Sequence, residues 1–410
     1  MSQDIKICAH ALRDVPLEGW KEKIVGRWHY NDLAADLSWR NGWISFDAVT
    51  YNPYNDSIYC GLTSIDGDLL YRFDITSQQF IGLETQRWTD AFDAKIHRTL
   101  LLHSQDRCFY FGTSLLHDAD RQREAPGGKL VKYDWQDDRY DLLAIPMPLL
   151  YIQSIALDDQ RNILYAFTYP AELLIRYDLQ THACSTLGYL GNATMLAQPH
   201  NAVVDRHGWL WGTYAETRAW DEVMGPTPIR LFKYHPDENR FIWFSHGLSR
   251  KADESQVCPN PPHATQNLTD VTESRHKQDF GFCDSMAYDG GRFIYVGTVA
   301  GVFCRIDIET DEVEKIANVM ESGRFPALGF GRGSEIFGAG GMRGQCHVCR
   351  FDPTTLKLDV WSDLEDVERQ EKPARIHELA ISSDGTVWLG ENDNHERSSY
   401  LWSMRISNES

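Results

Sequence analysis

One pattern of hydrophobic and polar positions recurs along the chain. A short apolar run is followed by a polar turn and by a second apolar run rich in aromatic residues, which in most copies ends at a glycine. Two such runs joined by a tight polar turn are typical of a β-hairpin. Clear copies occupy residues 96–113, 152–168, 198–218, 282–298 and 376–392. A repeat of this kind indicates a repeat architecture before any local preference is considered.

A third strand-like run follows each of the first six hairpins and carries a marker of its own. The marker is a basic residue, a large apolar residue and, in all copies but one, an aspartate at the start of a turn. The copies are Arg72-Phe-Asp74, Lys132-Tyr-Asp134, Arg176-Tyr-Asp178, Lys233-Tyr-His235, Arg305-Ile-Asp307 and Arg350-Phe-Asp352. A fourth strand follows each marker. The seventh copy, at 400–405, keeps the strand without the marker.

Seven copies of four short antiparallel strands predict an all-β fold, a seven-bladed β-propeller that forms a single domain over residues 1–410. The blades begin near residues 45, 96, 152, 199, 282, 325 and 376. The last copy stops after its third strand, so we expect the N-terminal segment 1–44 to supply the missing strand and close the ring. The helix-like stretches of the sequence are short, for example around residues 362–371.

Composition and charge narrow the range of possible functions and binding partners. The chain of 410 residues is 42% hydrophobic and 24% charged, which is typical of a globular protein. Its formal charge of −19 argues against non-specific binding to nucleic acid or to an anionic membrane. No apolar run reaches the ~18 residues of a membrane helix. One local cluster of Arg and His would still suffice to bind a small anionic substrate.

The termini and the cysteines indicate a compartment. The N-terminus lacks a basic region followed by an apolar run, so the chain as it stands is expected to be cytoplasmic, and secreted if a leader has been removed. Its nine cysteines are odd in number and scattered over strand-like runs. This usage favours buried thiols in a reducing compartment over a disulfide framework. We expect a monomer.

A propeller fold predicts where a site would lie. The first strand of each blade lines the central channel, and its N-terminal end lies at the face where ligands usually bind. Aligning the first strands brings the following residues to that mouth: Asp47 or Phe46, His97, Gln153, His200, Cys283 with Asp284, Pro326 and His377. The second strands end on the same face, at His117, Tyr169, Tyr214 with Arg218, Arg343 and Glu391 to Asp393. Trp220 is placed to stack on a sugar.

These residue types favour one chemistry over others. There is no Gly-x-Ser-x-Gly elbow and no phosphate-binding loop, so acyl and phosphoryl transfer have no support. β-Elimination from a uronate needs a cation for the carboxylate, a base for the neighbouring proton and an acid for the leaving oxygen. Arg binds carboxylates, and His and Tyr exchange protons. The predicted catalytic residues are His97, His117, Tyr169, Tyr214 and Arg218, and the predicted substrate-binding residues are Gln153, His200, Arg343, His377 and Trp220.

The spacing of His97 and His117, with Tyr and Arg from blades 3 and 4, resembles the seven-bladed propeller polysaccharide lyases, namely the ulvan lyases and the rhamnose–glucuronate lyases. The resemblance implies an anionic oligo- or polysaccharide substrate that contains uronic acid, and it places Arg218 where a carboxylate-binding Arg is expected. The chain departs from the family in blade 3. The family has a Tyr and a later Arg there, whereas this chain has Tyr151 or Gln153 and then Tyr169, which leaves the acid unassigned.

Two further hypotheses about the function stay open. The first is a metal-dependent hydrolase, either a glycosidase or a lactonase. His200, Cys283 and His377 are its predicted ligands for Zn²⁺ or Ca²⁺, and a glycosidase would draw two carboxylates from Glu216, Glu378, Glu391 and Asp393. The second is a non-catalytic propeller that binds protein partners. The cluster Cys346-His347-x-Cys349 resembles a metal-ligand motif, but adjacent residues of a strand point to opposite faces.

Overall fold

The computed structural model describes residues 5–17, 35–115, 121–192, 201–215, 229–251, 281–320, 323–342, 345–394 and 396–406. Their strands, numbered in chain order, are β1 Ile5–His10, β2 Ile44–Asn52, β3 Ser57–Ser64, β4 Leu70–Asp74, β5 Gln79–Gly82, β6 Leu101–Leu102, β7 Phe109–Gly112, β8 Leu130–Asp134, β9 Arg139–Ala144, β10 Tyr151–Asp158, β11 Ile163–Tyr169, β12 Ala171–Asp178, β13 Cys184–Asn192, β14 Val203–Val204, β15 Leu210–Ala215, β16 Ile229–His235, β17 Arg240–Trp243, β18 Cys283–Tyr288, β19 Phe293–Thr298, β20 Val302–Asp307, β21 Val313–Asn318, β22 Ala327–Phe330, β23 Ile336–Met342, β24 Gln345–Asp352, β25 Lys357–Trp361, β26 Ile376–Ile381, β27 Val387–Glu391 and β28 Leu401–Ile406.

The strands form seven four-stranded antiparallel sheets, and the fold is a seven-bladed β-propeller, as the sequence predicts. The chain divides into two compact units, 1–155 with 329–410, and 156–328. The first unit contains the sheets β2 to β5, β6 to β9, β22 to β25 and β26-β27-β28-β1. The second contains β10 to β13, β14 to β17 and β18 to β21, and the divisions fall within β10 and β22.

The N-terminal strand completes the last sheet. β1 pairs antiparallel with β28 over six positions, from Ile5 opposite Ile406 to His10 opposite Leu401. The seventh repeat stops at its third strand, so β28 would be an open edge without this partner. The expectation that the N-terminal segment supplies the missing strand is confirmed.

The repeated marker has a local physical reason. The aspartate ends the third strand, and its carboxylate accepts backbone N–H groups of the turn that follows, as Asp74 does from Ser77 at 2.8 Å and Asp352 from Thr354 at 2.8 Å. The residue four positions after the marker's last residue has a positive φ in all six copies: Gln78, Asp138, His182, Asn239, Asp311 and Leu356. A capped turn that ends in a left-handed residue is a common way to close a short hairpin. The marker therefore builds the turn between the third and fourth strands.

The helical prediction is wrong. Residues 362–371 form turns rather than a helix, because the Asp366 carboxylate accepts the backbone N–H of Glu368 at 3.0 Å and that of Arg369 at 3.1 Å, and so closes a turn on itself. The α-helix of the described residues is instead a six-residue element, α1 at Leu37–Gly42, just before the first blade. No helix in the described ranges is long and apolar enough to cross a membrane.

Candidate functional site in the first unit

In three of the inner strands a backbone bulge falls on a polar residue. The antiparallel ladder skips one residue between Phe46 and Ala48, between Cys283 and Ser285, and between Ile376 and Glu378. A bulged residue leaves the regular alternation of faces. The skipped residues are Asp47, Asp284 and His377, and all three are at most 3% exposed. Phe46 packs in the apolar core of the first unit, so Asp47 is the polar residue at this position.

Asp47 is a buried carboxylate without a close cationic partner among the described residues. The Thr63 hydroxyl and the Asn392 side-chain amide donate hydrogen bonds to its two oxygens. Burial raises the pKa of Asp47 to about 6, and the positive charge of Lys95 opposes this rise. Asp47 therefore retains a proton to a higher pH than an exposed aspartate does.

His377 is held at both ring nitrogens. Its Nδ1 lies 3.1 Å from the Asp47 carbonyl oxygen, and the Arg98 Nε–H donates to its Nε2 at 3.3 Å. A second guanidinium nitrogen of Arg98 donates to the His377 carbonyl at 3.2 Å. These partners assign His377 as the neutral ring with its proton on Nδ1. Its remaining lone pair is engaged by Arg98.

The His97 ring is held in the same way as the His377 ring, through a hydrogen bond from Nδ1 to a backbone carbonyl. Its Nδ1 lies 3.0 Å from the Gln153 carbonyl oxygen, and Gln153 occupies in blade 3 the position that Asp47 occupies in blade 1. Each histidine thus donates Nδ1–H to the carbonyl of the equivalent residue in the next blade. This places the basic lone pair of His97 on Nε2. The two rings are 5.1 Å apart, and His97 is partly exposed whereas His377 is buried.

Arg98 is the residue of this site that sequence patterns miss. Strand alternation predicts that residues 97 and 98 point to opposite faces. Arg98 has a φ of 48°, in the left-handed region, so the backbone turns and the alternation does not hold. Arg98 is 3% exposed and binds His377, while its neighbour His97 lies beside the same ring. A charged side chain that directly follows a histidine was the one available signal.

Gln153 completes this cluster. Its side chain is 6% exposed, and within the described residues its Oε1 lies without a hydrogen-bond partner. The structure thus brings together three of the predicted substrate and catalytic residues, His97, Gln153 and His377. It adds Asp47, which the alignment of first strands also placed at the mouth.

Other predicted residues belong to the second unit. The Tyr214 hydroxyl donates to the Phe244 carbonyl at 3.0 Å and its ring stands edge-on to Trp243, which is a packing arrangement. Tyr169 is the last residue of β11 and is half-buried. Cys283 lies in an apolar cluster. Asp284 forms a buried ion pair with Arg324, whose Nε lies 2.8 Å from Asp284 Oδ2.

The remaining predicted residues lie outside the described residues. They are His117, His200, Arg218, Trp220 and Arg343, together with the alternative carboxylate Glu216. The roles assigned to them stay predictions. Pro326, aligned with the mouth residues, precedes β22 directly and is buried.

The acidic residues at the end of β27 and just after it are engaged by neighbouring groups. The buried Glu391 carboxylate accepts from Ala374 N at 2.8 Å, Tyr400 N at 2.7 Å and Arg397 Nη1 at 2.8 Å. Asp393 pairs with Arg375 at 3.1 Å. Both carboxylates are already neutralised, so the structure gives no support to the glycosidase pair drawn from them.

One group of described residues has the donor types and proximity of a metal site. Asp47, His97 and His377 each offer a ligand atom, and these atoms lie within 4.8 Å of one another. This set shares His377 with the predicted set His200, Cys283 and His377, which stays a prediction because His200 lies outside the described residues. In the Cys346-His347-x-Cys349 cluster, the Cys346 thiol is buried and donates to the Pro373 carbonyl at 3.2 Å.

Comparisons with known proteins give the fold. No family model matches the sequence, and no curated protein is similar to it. Streptogramin B lyase superimposes with a TM-score of 0.59 at 11% identity, over 98% of each chain. The extracellular domain of the hybrid two-component system BT4673 from B. thetaiotaomicron gives a TM-score of 0.53 at 15% identity over 89% of this chain. The chain spans only 38% of that domain. Both similarities concern the propeller architecture.

Proposed function

We propose that this protein is a lyase that cleaves a uronic-acid-containing oligo- or polysaccharide by β-elimination, with His97 as the base. The observation that carries the proposal is the fixed state of the His97 ring. Its Nδ1–H is committed to the Gln153 carbonyl at 3.0 Å, so Nε2 is the proton-accepting nitrogen of a partly exposed ring.

The surroundings of His97 suit a reaction that builds negative charge. The guanidinium of Arg98 is buried beside His377, whose ring is 5.1 Å from that of His97. A buried cation favours an anionic transition state.

The proposed step balances as follows. His97 Nε2 takes the proton from the carbon next to the uronate carboxylate, and the C–H electron pair forms a C=C bond. The C–O bond to the neighbouring sugar breaks, and the leaving oxygen takes up the proton from His97. The products are an unsaturated uronide and a new sugar end, and His97 returns to its neutral form.

The structural comparison adds a second, weaker support. Streptogramin B lyase, whose name assigns it a lyase activity, shares the architecture over 98% of both chains. At 11% identity this likeness concerns the fold, and it supplies neither the substrate nor the residues. The polysaccharide substrate rests on the chemistry of the site and on the resemblance of its histidine spacing to the propeller lyases.

The test is direct. The purified protein is incubated with a panel of uronate oligo- and polysaccharides, and the unsaturated product is followed by its absorbance near 235 nm. We expect turnover on at least one uronide, and His97→Ala should lower kcat by about 10²–10⁴-fold with unchanged thermal unfolding. Absence of product over the whole panel, or full activity of His97→Ala, would reject the proposal.

A metal-dependent hydrolase is the second candidate, favoured by the cluster of Asp47, His97 and His377. Two His and one carboxylate are a ligand set suited to Zn²⁺. Ligand atoms of one Zn²⁺ ion lie at most about 4.4 Å apart, so atoms up to 4.8 Å apart would have to approach. Arg98 Nε also lies 3.3 Å from His377 Nε2. A stoichiometric metal in the purified protein, with activity lost on chelation, would favour this candidate over the elimination without metal.

A further inference from the structure

We infer that Lys95 binds the substrate carboxylate, a role for which the resemblance to the propeller lyases suggests Arg218, which lies outside the described residues. This inference rests on the proposed lyase function and assigns a role that sequence patterns do not predict at this position. An elimination next to a carboxylate requires a cation beside the base. Arg98 lies beside His97, but its guanidinium is engaged with His377 through Nε and Nη2.

Lys95 is a cation of this region that has no charge partner among the described residues. Among the described residues, no acceptor lies within hydrogen-bonding or ion-pair distance of its ammonium group, and the side chain is partly exposed. Other basic residues of the first unit differ: Lys129 pairs with Asp90 at 2.9 Å and Arg375 pairs with Asp393 at 3.1 Å. An ammonium group that lacks such a partner within the described ranges, two residues before a base, is a ready site for an anionic group.

The position of Lys95 matches the geometry of the substrate. Lys95 precedes His97 by two residues, so their Cα atoms are at most about 7 Å apart. In a uronate the proton to be removed and the carboxylate lie on adjacent carbons. A base and a cation that emerge from one short segment can therefore reach both groups together.

The backbone around Lys95 is fixed. Lys95 N donates to the Ser114 carbonyl at 3.1 Å, and Ser114 N donates to the Lys95 carbonyl at 2.9 Å. The backbone of Lys95 also forms an isolated antiparallel β-bridge with Thr63, and the Thr63 hydroxyl donates to Asp47. The charge of Lys95 reaches this buried cluster, since it opposes the rise in the pKa of Asp47. A fixed backbone and the flexible four-carbon stem that every lysine has together suit a carboxylate ligand.

The repeat provides an internal comparison. Blade 7 has Arg375-Ile-His377 where blade 2 has Lys95-Ile-His97. In blade 7 the cation is neutralised by Asp393, three residues after Gly390 at the end of β27. In blade 2 the corresponding residue, three after Gly112, is Leu115, which is buried and apolar. Two equivalent positions thus differ in whether a described acidic residue faces the cation, and the cation without one lies in the blade that carries the partly exposed histidine.

Binding measurements test the role of Lys95 separately from turnover. In a His97→Ala background, which retains Lys95 and stops the chemistry, isothermal titration measures the affinity for glucuronate- and galacturonate-containing oligosaccharides and for their methyl esters. We expect Lys95→Met to weaken binding of the acids about tenfold or more and to leave the esters unchanged, since only the acids carry the charge. Lys95→Arg should restore most of the affinity. Lys6→Met, which removes an exposed charge from β1, should have no effect.

The outcomes separate the two proposals. Equal affinity of the Lys95→Met and Lys95 proteins for the acids, equal losses for acid and ester, or no binding by any uronide would overturn the role of Lys95. Charge-selective binding through Lys95 without any product at 235 nm in the protein that retains His97 would reject the lyase and keep the binding site. Full turnover by Lys95→Met would keep the lyase and reject this residue.

Discussion

Asp47→Asn should change how the stability of the protein depends on pH. The Asp47 carboxylate is 1% exposed, and its pKa is raised from the ordinary value of 3.8 to about 6, chiefly by burial. An acid whose folded pKa is raised binds its proton more tightly in the folded state than in the unfolded chain. The stabilisation that the Asp47 proton contributes to the folded state is fully present below about pH 4 and is lost as the pH rises through 6.

The size of the effect follows from the two pKa values. The difference between 3.8 and about 6 corresponds to about 3 kcal/mol, because one pKa unit is worth ~1.4 kcal/mol. About 2 kcal/mol of this falls between pH 4.5 and pH 7. Asparagine has no proton to lose there. It can still accept from the Asn392 amide, and its own amide can donate to the Thr63 hydroxyl.

The assay is urea unfolding of both proteins at several pH values. The free energy of unfolding of Asp47→Asn minus that of the Asp47 protein should increase by about 2 kcal/mol from pH 4.5 to pH 7. Asp137→Asn, at an exposed carboxylate, is the matched control and should give a flat difference. A flat difference for Asp47→Asn as well, or one that decreases with pH, would refute the assignment of a raised pKa.

Three further predictions concern the fold. Deletion of residues 1–17 removes β1 and leaves β28 as an open edge, so the melting temperature should fall by well over 10 °C, and an unchanged value would contradict the closing role of β1. Asp284→Asn should cost about 3–5 kcal/mol in urea unfolding because Arg324 is left buried without its charge partner, whereas a loss below 1 kcal/mol would show that the pair is solvated. Leu356→Gly should stabilise the protein by up to about 1 kcal/mol because Leu356 has a φ of 58°, and Val360→Gly, in β25, should destabilise it; the same sign for both would argue against left-handed strain at 356.

The fold could be predicted because each repeat carries its own local signal. The marker aspartate closes the turn between the third and fourth strands, and this is short-range chemistry that is visible in the sequence. The helix expected at 362–371 failed for the same kind of reason. Asp366 bonds to the backbone of its own turn, and this competes with helix formation wherever Asp stands near a bend.

The site was only partly predictable. His97, Gln153 and His377 were found because the alignment of repeats places equivalent residues at equivalent positions. Arg98 was not found, since a single left-handed residue reverses the face to which its side chain points, and no periodicity carries that information. Lys95 was not found because what distinguishes it is the absence of a charge partner among the described residues, which is a property of three-dimensional neighbours.

Equivalent histidines in two blades show how a repeat acquires a site. Both rings are anchored at Nδ1 by the carbonyl of the next blade, so this anchor alone does not make a base. They differ at the other edge of the ring. His377 is buried and its Nε2 accepts from Arg98, whereas His97 is partly exposed and follows by two positions Lys95, which has no charge partner in the part of the chain that the structure describes. If the proposal is correct, His377→Gln should preserve part of the activity, because an amide can still donate to the Asp47 carbonyl, whereas His97→Gln should abolish turnover. Equal losses in the two variants would mean that both histidines act as one unit and that the asymmetry between blades 2 and 7 does not decide the chemistry.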